Sequence, residues 1–284
     1  MNSKNGSYDD NSWAAVFAGQ INGGEGLYGK LAKPGDEPIL VIVGPTASGK
    51  TGLAIDVALG LQKSGRFSGC EIISADSRAI YKGMDIGTAK PMPEEMRGVP
   101  HWGIDLVEPN DRFTVVDFAE YARKKIAEIR ARGHFPIIAG GTGLYVDALV
   151  YDYKFNDVVK KTYSDREVMN DDYLVVGIDW PRDVLRDRLL QRSYKLFEQP
   201  IEEETLKMVE QYGWDSQAMK SDIYPICWEM MRGNISCEEA IKLNAVDDWH
   251  LAKRQLTWFK RNKNIVWIPL EGAKERIINF YHTI

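Results

Sequence analysis

Cysteine is scarce in this chain, with three in 284 residues, at Cys70, Cys227 and Cys237. The number is odd, the spacings are wide and no Cys-x-x-Cys pair occurs, so neither a disulfide framework nor a thiolate zinc site is expected. Histidine is as sparse, with four scattered residues. Long apolar runs are missing too. Plainly apolar stretches such as 39–43 fall far short of the roughly 20 residues that a membrane helix needs. The patch at 13–18 follows Asp9 and Asp10 rather than a basic stretch, which makes a poor signal peptide and leaves the cytoplasm as the expected compartment. An excess of positive charge is also absent. The formal net charge is -5, so any grip on nucleic acid must come from a local basic patch.

What is present suits a soluble globular protein with a real core: 44% hydrophobic and 27% charged residues. The length fits one large α/β domain, or one domain with a smaller appendage. Residues 1–36 are rich in Asn, Gly and Ser without sustained periodicity, and read as a flexible leader with one short ordered turn near Trp13. The pattern then changes abruptly. Residues 39–43 form a β-branched run of the kind found in buried parallel strands. Strands are also expected at 71–75, 136–139 and 173–178, and helices at 52–63 and 114–132. In the latter helix Phe118, Ala122, Ile126 and Ile129 share a face, Thr114 and Asp117 make a capping box, and Gly133 stops it. Pro181 suits a first helical turn, after which Leu185, Leu189 and Leu196 point inward. Residues 202–261 read as mostly helical. No internal repeat is visible.

Gly44-Pro45-Thr46-Ala47-Ser48-Gly49-Lys50-Thr51 matches the phosphate-loop pattern at every fixed position, between an expected strand and an expected helix. Backbone N–H groups of such a loop wrap a diphosphate, and the helix N-terminus adds partial positive charge. Lys50 brings an ammonium, and Thr51 a hydroxyl suited to Mg²⁺. The loop marks phosphate binding without naming a reaction, because kinases, ATPases and transferases share it. Alternating strands and helices make the fold class α/β: a P-loop NTPase-like parallel sheet flanked by helices, with a mostly helical C-terminal part.

Asp76 follows the second expected strand, at the carboxyl edge where open α/β sheets bind ligands. Taken alone, a turn or helix-capping role explains it as well as a functional one. The surrounding wording is more specific. The phosphate loop, the stretch 73–91 (ISADSRAIYKGMDIGTAKP), 100–105 (PHWGID), 140–145 (GGTGLY) and 252–259 (AKRQLTWF) closely resemble the bacterial tRNA dimethylallyltransferases. The resemblance covers most of 38–150, loosens over 173–240 and returns at 251–268.

This resemblance implies transfer of dimethylallyl from dimethylallyl diphosphate to the exocyclic amine of the adenosine 3′ of the anticodon. The phosphate loop would hold the prenyl diphosphate, with Lys50 and Mg²⁺ neutralising the departing pyrophosphate. Asp76 matches the family's base. Thr142 matches its threonine on the bridging oxygen; without the resemblance it would be a turn residue in a Gly-rich loop. Ser77, Arg78 and Ala79 lie where the family touches RNA, as do Lys253, Arg254 and Gln255. The expected partners are a tRNA anticodon stem-loop and the prenyl diphosphate, without a membrane, for a protein expected to be a monomer.

The 250–264 stretch carries Lys253, Arg254, Lys260, Arg261 and Lys263 with no acid among them, and Trp258 and Phe259 interleaved. A basic run of this kind is usually a solvated helix face, and the match at 253–255 turns the reading towards RNA contact. Arg182, Arg186, Arg188 and Arg192 fit either phosphate contact or an exposed helix paired with Asp183 and Asp187. Trp102, Trp214, Trp228 and Trp267 read as core. The chain departs from the family in three places. Residues 151–172 form only a shortened insertion where the family has a sizeable helical one. Cys227-Trp228-Glu229 replaces a Gly-Tyr-basic run, and Asp248-Trp249 replaces a Thr-Arg pair. The organisation expected is a leader (1–36), a P-loop core (37–150), the short insertion (151–172) and the remaining core with a helical C-terminal part (173–284). A trimmed RNA grip would also suit an adenylate dimethylallyltransferase acting on free AMP, ADP or ATP. A P-loop small-molecule kinase shares the loop alone.

Overall fold

The structure, a computed structural model, describes residues 37–151, 153, 169–170, 172–216, 218–220 and 223–284. The expected leader and nearly all of the shortened insertion lie outside these residues. Six parallel strands form one sheet: β1 (Ile39–Val43), β2 (Cys70–Ser74), β3 (His101–Trp102), β4 (Phe135–Gly140), β5 (Tyr173–Asp179) and β6 (Val266–Pro269), in the order β3-β2-β4-β1-β5-β6. The helices are α1 (Lys50–Lys63), α2 (Pro93–Met96), α3 (Val115–Ala131), α4 (Gly143–Val150), α5 (Arg182–Phe197), α6 (Ile201–Tyr212), α7 (Tyr224–Met231), α8 (Cys237–Phe259) and α9 (Ala273–Thr283).

β1 is buried along its whole length because helices cover both faces of the sheet. Alternate side chains go to opposite faces. Leu40, Ile42, Ile72, Ile137 and Val176 meet Leu53, Val57 and Leu61 of α1 and Ile277 and Tyr281 of α9. Ile39, Val41, Val43, Ile73 and Val175 meet Phe118 and Ile129 of α3, Tyr145 and Leu149 of α4, and Phe259 of α8. A one-residue slip of β1 would exchange these two sets, so the pairing of Ile42 with Ala139 and of Val41 with Val175 is held by packing on both sides. The expected strands and helices are all present. Thr114 and Asp117 form the reciprocal capping box, and Gly133 follows α3 in a left-handed conformation. The short strands β3 and β6 and the helices α2, α4 and α9 are additions that sequence periodicity did not reveal.

The connection order places the switch point of the sheet beside β1, since α1 leads towards β2 on one side and α4 towards β5 on the other. Three loops therefore end together at the carboxyl edge: 44–49 after β1, 75–78 after β2 and 141–142 after β4. The helical part after β5 packs against the excursion that follows β2. Ile80, Tyr81 and Met84 sit with Leu196, Ile201, Met208, Ile223, Tyr224 and Cys227 in a separate apolar cluster. Of the four expected core tryptophans, Trp102 and Trp267 pack on the second sheet-face cluster, while Trp214 packs on this one and stacks on Trp228 at 5.1 Å.

At the opposite, amino edge Glu71 is buried to 2% exposure. Its carboxylate accepts from Trp102 Nε1 at 2.6 Å, from Arg132 Nε and a terminal guanidinium nitrogen at 3.0 and 2.8 Å, and contacts His134 Nδ1 at 2.8 Å. Burial pushes its pKa up, but the bonds from Arg132, Trp102 and His134 outweigh burial and hold it below the ordinary glutamate value. A depressed folded pKa means that this stabilisation is present above the unfolded value and is lost as pH falls through the folded one. Glu71→Ala should therefore cost about 2–4 kcal/mol near neutrality, and the gap to wild type should narrow progressively below about pH 4.5. Urea unfolding across pH measures this; a gap independent of pH would show that the ionised form is not what stabilises.

Candidate active site

The three loops at the carboxyl edge surround one cavity of about 360 Å³, lined among others by Thr46, Lys50, Asp76, Ser77, Thr142 and Gln255. A smaller cavity of about 190 Å³ adjoins it, between the phosphate loop, including Gly49, Lys50 and Thr51, and residues 88–91. Asp76, Lys50, Thr46, Thr88 and Arg192 line both.

The phosphate loop keeps its shape through contacts from distant segments. Ala47 sits at φ 59, a left-handed conformation costly for a residue with a Cβ. Its carbonyl accepts from Arg188 Nε at 2.8 Å, and the neighbouring Ser48 carbonyl accepts from Trp180 Nε1 at 2.9 Å. Lys50 donates to the Pro45 carbonyl at 3.2 Å. Burial at the cavity floor lowers its pKa. Asp76 and Asp248 oppose that effect, and Arg192 adds to it.

Asp76 Oδ1 accepts from Arg78 N at 2.8 Å, a turn that aims the carboxylate from the end of β2 into the cavity. Thr142 begins α4, yet its hydroxyl does not cap that helix. It accepts from Ser77 N at 2.9 Å and donates to Ser77 Oγ at 3.2 Å, which ties the 141–142 loop to the residue beside Asp76. Gln255 binds inward on both ends of its amide, accepting from Thr46 N at 2.8 Å and donating to the Gly141 carbonyl at 3.1 Å. A Cβ on Gly141 would come within 2.4 Å of that amide, and one on Gly143 within 2.1 Å of the Trp258 ring, so glycine is required for α8 to lie this close.

The residues expected to touch RNA separate into two groups. Asp76, Ser77, Arg78 and Gln255 line the larger cavity, whereas Ala79 is buried against the smaller one. Arg78 spends part of its guanidinium on the Ala218 carbonyl at 2.8 Å and lies over the Tyr81 ring. Lys253 lies on an open groove with His250, Arg254, Thr257, Trp258 and Arg261; Arg254 and Trp258 also line the larger cavity, so groove and cavity are continuous. The expected basic run does not act as one patch. Lys260 turns away, 3.9 Å from Asp179 and over the Trp267 ring. The α5 arginines, for which the sequence leaves phosphate contact and an exposed ion-paired helix both open, reach other segments: Arg188 donates to the phosphate loop, Arg186 lies over Trp249, and Arg192 pairs with Asp248.

One residue that shapes the wall of the site carried no signal in sequence. Glu204, in a run of three glutamates, accepts from the N–H groups of Asp85, Ile86 and Gly87 at 2.8–2.9 Å and from the Tyr224 hydroxyl at 2.7 Å. It fixes the segment whose next residues, 88–91, wall the smaller cavity. Glu204→Gln should cost about 1–2 kcal/mol and speed amide exchange at 85–87 while β1 stays protected. Unchanged exchange there would show that the carboxylate does not hold the segment.

Comparison with known proteins agrees with this arrangement. A sequence profile described as IPP transferase matches residues 79–170 and 154–262. A protein named tRNA dimethylallyltransferase from Acetivibrio thermocellus is 35% identical over 304 aligned residues, which span 84% of this chain and 95% of that one. One of the same name from Staphylococcus epidermidis is 35% identical, spanning 82% and 87%. The solved tRNA isopentenylpyrophosphate transferases of Staphylococcus epidermidis and Bacillus halodurans both superpose with a TM-score of 0.73. They are 33% and 31% identical, each match covering 87% of this chain and 98% and 96% of theirs. A solved eukaryotic dimethylallyltransferase acting on tRNA, 19% identical with a TM-score of 0.69 over 85% of this chain and 78% of its own, shares the fold. By profile, by sequence over most of its length and by structure, the chain belongs to the IPP transferase family.

Proposed function

We propose that this chain transfers a dimethylallyl group from dimethylallyl diphosphate to the exocyclic amine of the adenosine 3′ of the anticodon in tRNA. The observation that carries the reading is the convergence of Lys50, Asp76 and Thr142 on one cavity, continuous with a basic groove on α8. The diphosphate lies along the phosphate loop, where backbone N–H groups and Lys50 meet its charge. The adenosine leaves its stack to reach the larger cavity. Its nitrogen forms a bond to the first prenyl carbon as the C–O bond to the diphosphate breaks, and Asp76 takes the proton released from the amine. Thr142 donates to the bridging oxygen, an interaction that strengthens as that oxygen gains charge.

Mg²⁺ suits the smaller cavity. Its lining offers hard oxygen donors, the Thr51 hydroxyl with Ser74 and Asp76 beside it, next to the phosphate loop. Such sites hold the ion through one or two protein oxygens, substrate phosphates and water. Thr51 would be its protein ligand, and the chemistry such an ion would supply there is neutralisation of charge on the departing pyrophosphate. Among the described residues no helix is long and apolar enough to cross a membrane.

Asp76→Ala should keep donor binding and slow single-turnover transfer by a factor on the order of hundreds or more. A rate near wild type would remove Asp76 from the chemistry.

The acceptor is tested by salt. With roughly three to five phosphate contacts along the groove, the log–log salt slope should be about -2 to -3.5, at ~0.7 per phosphate of a single strand. An anticodon stem-loop should be prenylated far better than AMP, and Lys253→Ala with Arg254→Ala should weaken its binding. Equal efficiency with AMP and little response to salt would make free nucleotide the acceptor.

A further inference from the structure

Asp248, on α8, lines the reaction cavity together with Asp76 and Lys50. Its side chain is 14% exposed and is paired with Arg192. Arg192 also reaches the smaller cavity, where it joins Lys50 and Thr51 of the phosphate loop. One arginine therefore faces both Asp248 and the place where a diphosphate lies. Asp248 is close enough to Lys50 to affect its ammonium, as Arg192 is.

A purely structural ion pair joining α5 to α8 would explain less. The two helices are already joined by Leu185, Leu189 and Ala252, which form a buried cluster. One turn before Asp248 on α8, buried Asn244 donates to buried Ser193 Oγ at 2.7 Å. Docking of these helices does not depend on a charge pair placed inside a ligand cavity. The charges point to ligand binding instead. Among residues lining the larger cavity, Lys50, Arg78, Arg192 and Arg254 face only Asp76 and Asp248. Each carboxylate there repels an incoming diphosphate, and only Asp76 has a part in the proposed chemistry.

We propose that Asp248 is an internal competitor for the donor's phosphates, holding Arg192 until the diphosphate takes it over and so setting donor affinity lower than Lys50 and Arg192 alone would give. The inference rests on the donor-site reading above. It makes Asp248 a specificity-determining residue of this chain, one that eases release of pyrophosphate, the product that leaves from the same place. Asparagine at this position can still accept from Arg192 but carries no charge, and threonine removes the charge with a shorter side chain.

The test is calorimetric titration of magnesium pyrophosphate into the wild type, Asp248→Asn and Asp248→Thr, with a transfer assay run alongside. Both variants should bind more tightly, by on the order of tenfold for removal of one like charge at partly screened range. A residue that merely buttressed Arg192 would, when replaced, weaken binding instead. The threonine variant keeps the test decisive if the asparagine variant fails to fold. Unchanged or weaker binding in the folded variants overturns the inference while leaving wild-type binding and transfer intact. A wild type that binds no magnesium pyrophosphate overturns the donor-site reading, and the inference with it. Tighter binding in the variants without prenyl transfer by the wild type would uphold the competition and reject the reaction.

Discussion

A single side-chain amide holds the two halves of the site together. Gln255, on α8, satisfies the Thr46 N–H of the phosphate loop and the Gly141 carbonyl of the loop after β4. Both groups belong to loops at the sheet edge, and a buried backbone group left unpaired there would cost about as much as a lost hydrogen bond. The bond sets how close α8 must come, and that closeness dictates glycine at 141 and 143. It also brings Trp258 within 2.9 Å of Asp147 on α4, where the indole donates to the carboxylate. With α8 so placed, its successive turns bring Asn244, Asp248, Leu251 and Gln255 to the cavity and Lys253 and Arg261 to the groove.

Around that anchor, positive charge is gathered and then moderated. The phosphate loop is strained at Ala47, and Arg188 pins it from α5. One turn later the same helix sends Arg192 to the junction of the two cavities. In the proposed reaction the site would thereby hold the groups that meet the diphosphate in place beforehand, which lowers the reorganisation needed. Such a collection of cations would repel itself without Asp76 and Asp248 among it; the depressed pKa of Lys50 reflects burial first, with the Arg192 charge adding to it.

The helical part after β5 supports the excursion 79–91, which has little regular structure of its own. Its apolar side chains are covered by α6 and α7. Its backbone N–H groups at 85–87 are collected by Glu204. Within it, Lys90 is buried and donates to the Tyr81 carbonyl and to Asp85 and Asp105, so the segment is cross-linked by polar bonds as well. The wall of the smaller cavity is thus held by helices distant in sequence.

Local chemistry sufficed for much of this. The β-branched run at 39–43, the phosphate-loop spacing and the Thr114 capping box each carry their own physical cause within a few residues, so the sequence alone determined the α/β class and the place of the phosphate loop, while the family wording of 73–91 and 140–145 marked Asp76 and Thr142. The two-residue strand β3 and the edge strand β6 escaped notice because strands so short show no usable alternation and exist through pairing with β2 and β5. Tertiary structure alone decided what charged side chains do. Lys253 and Lys260 look alike in sequence, yet one lies on the groove and the other beside Asp179. Glu204 is one of three adjacent glutamates, and only its place on α6 opposite residues 85–87 distinguishes it. Asp248 and Arg192 are separated by 56 positions and share a cavity only because α5 and α8 pack side by side. A charge acts on whatever lies within a few ångströms of it, and for residues so far apart along the chain that neighbourhood is set by packing.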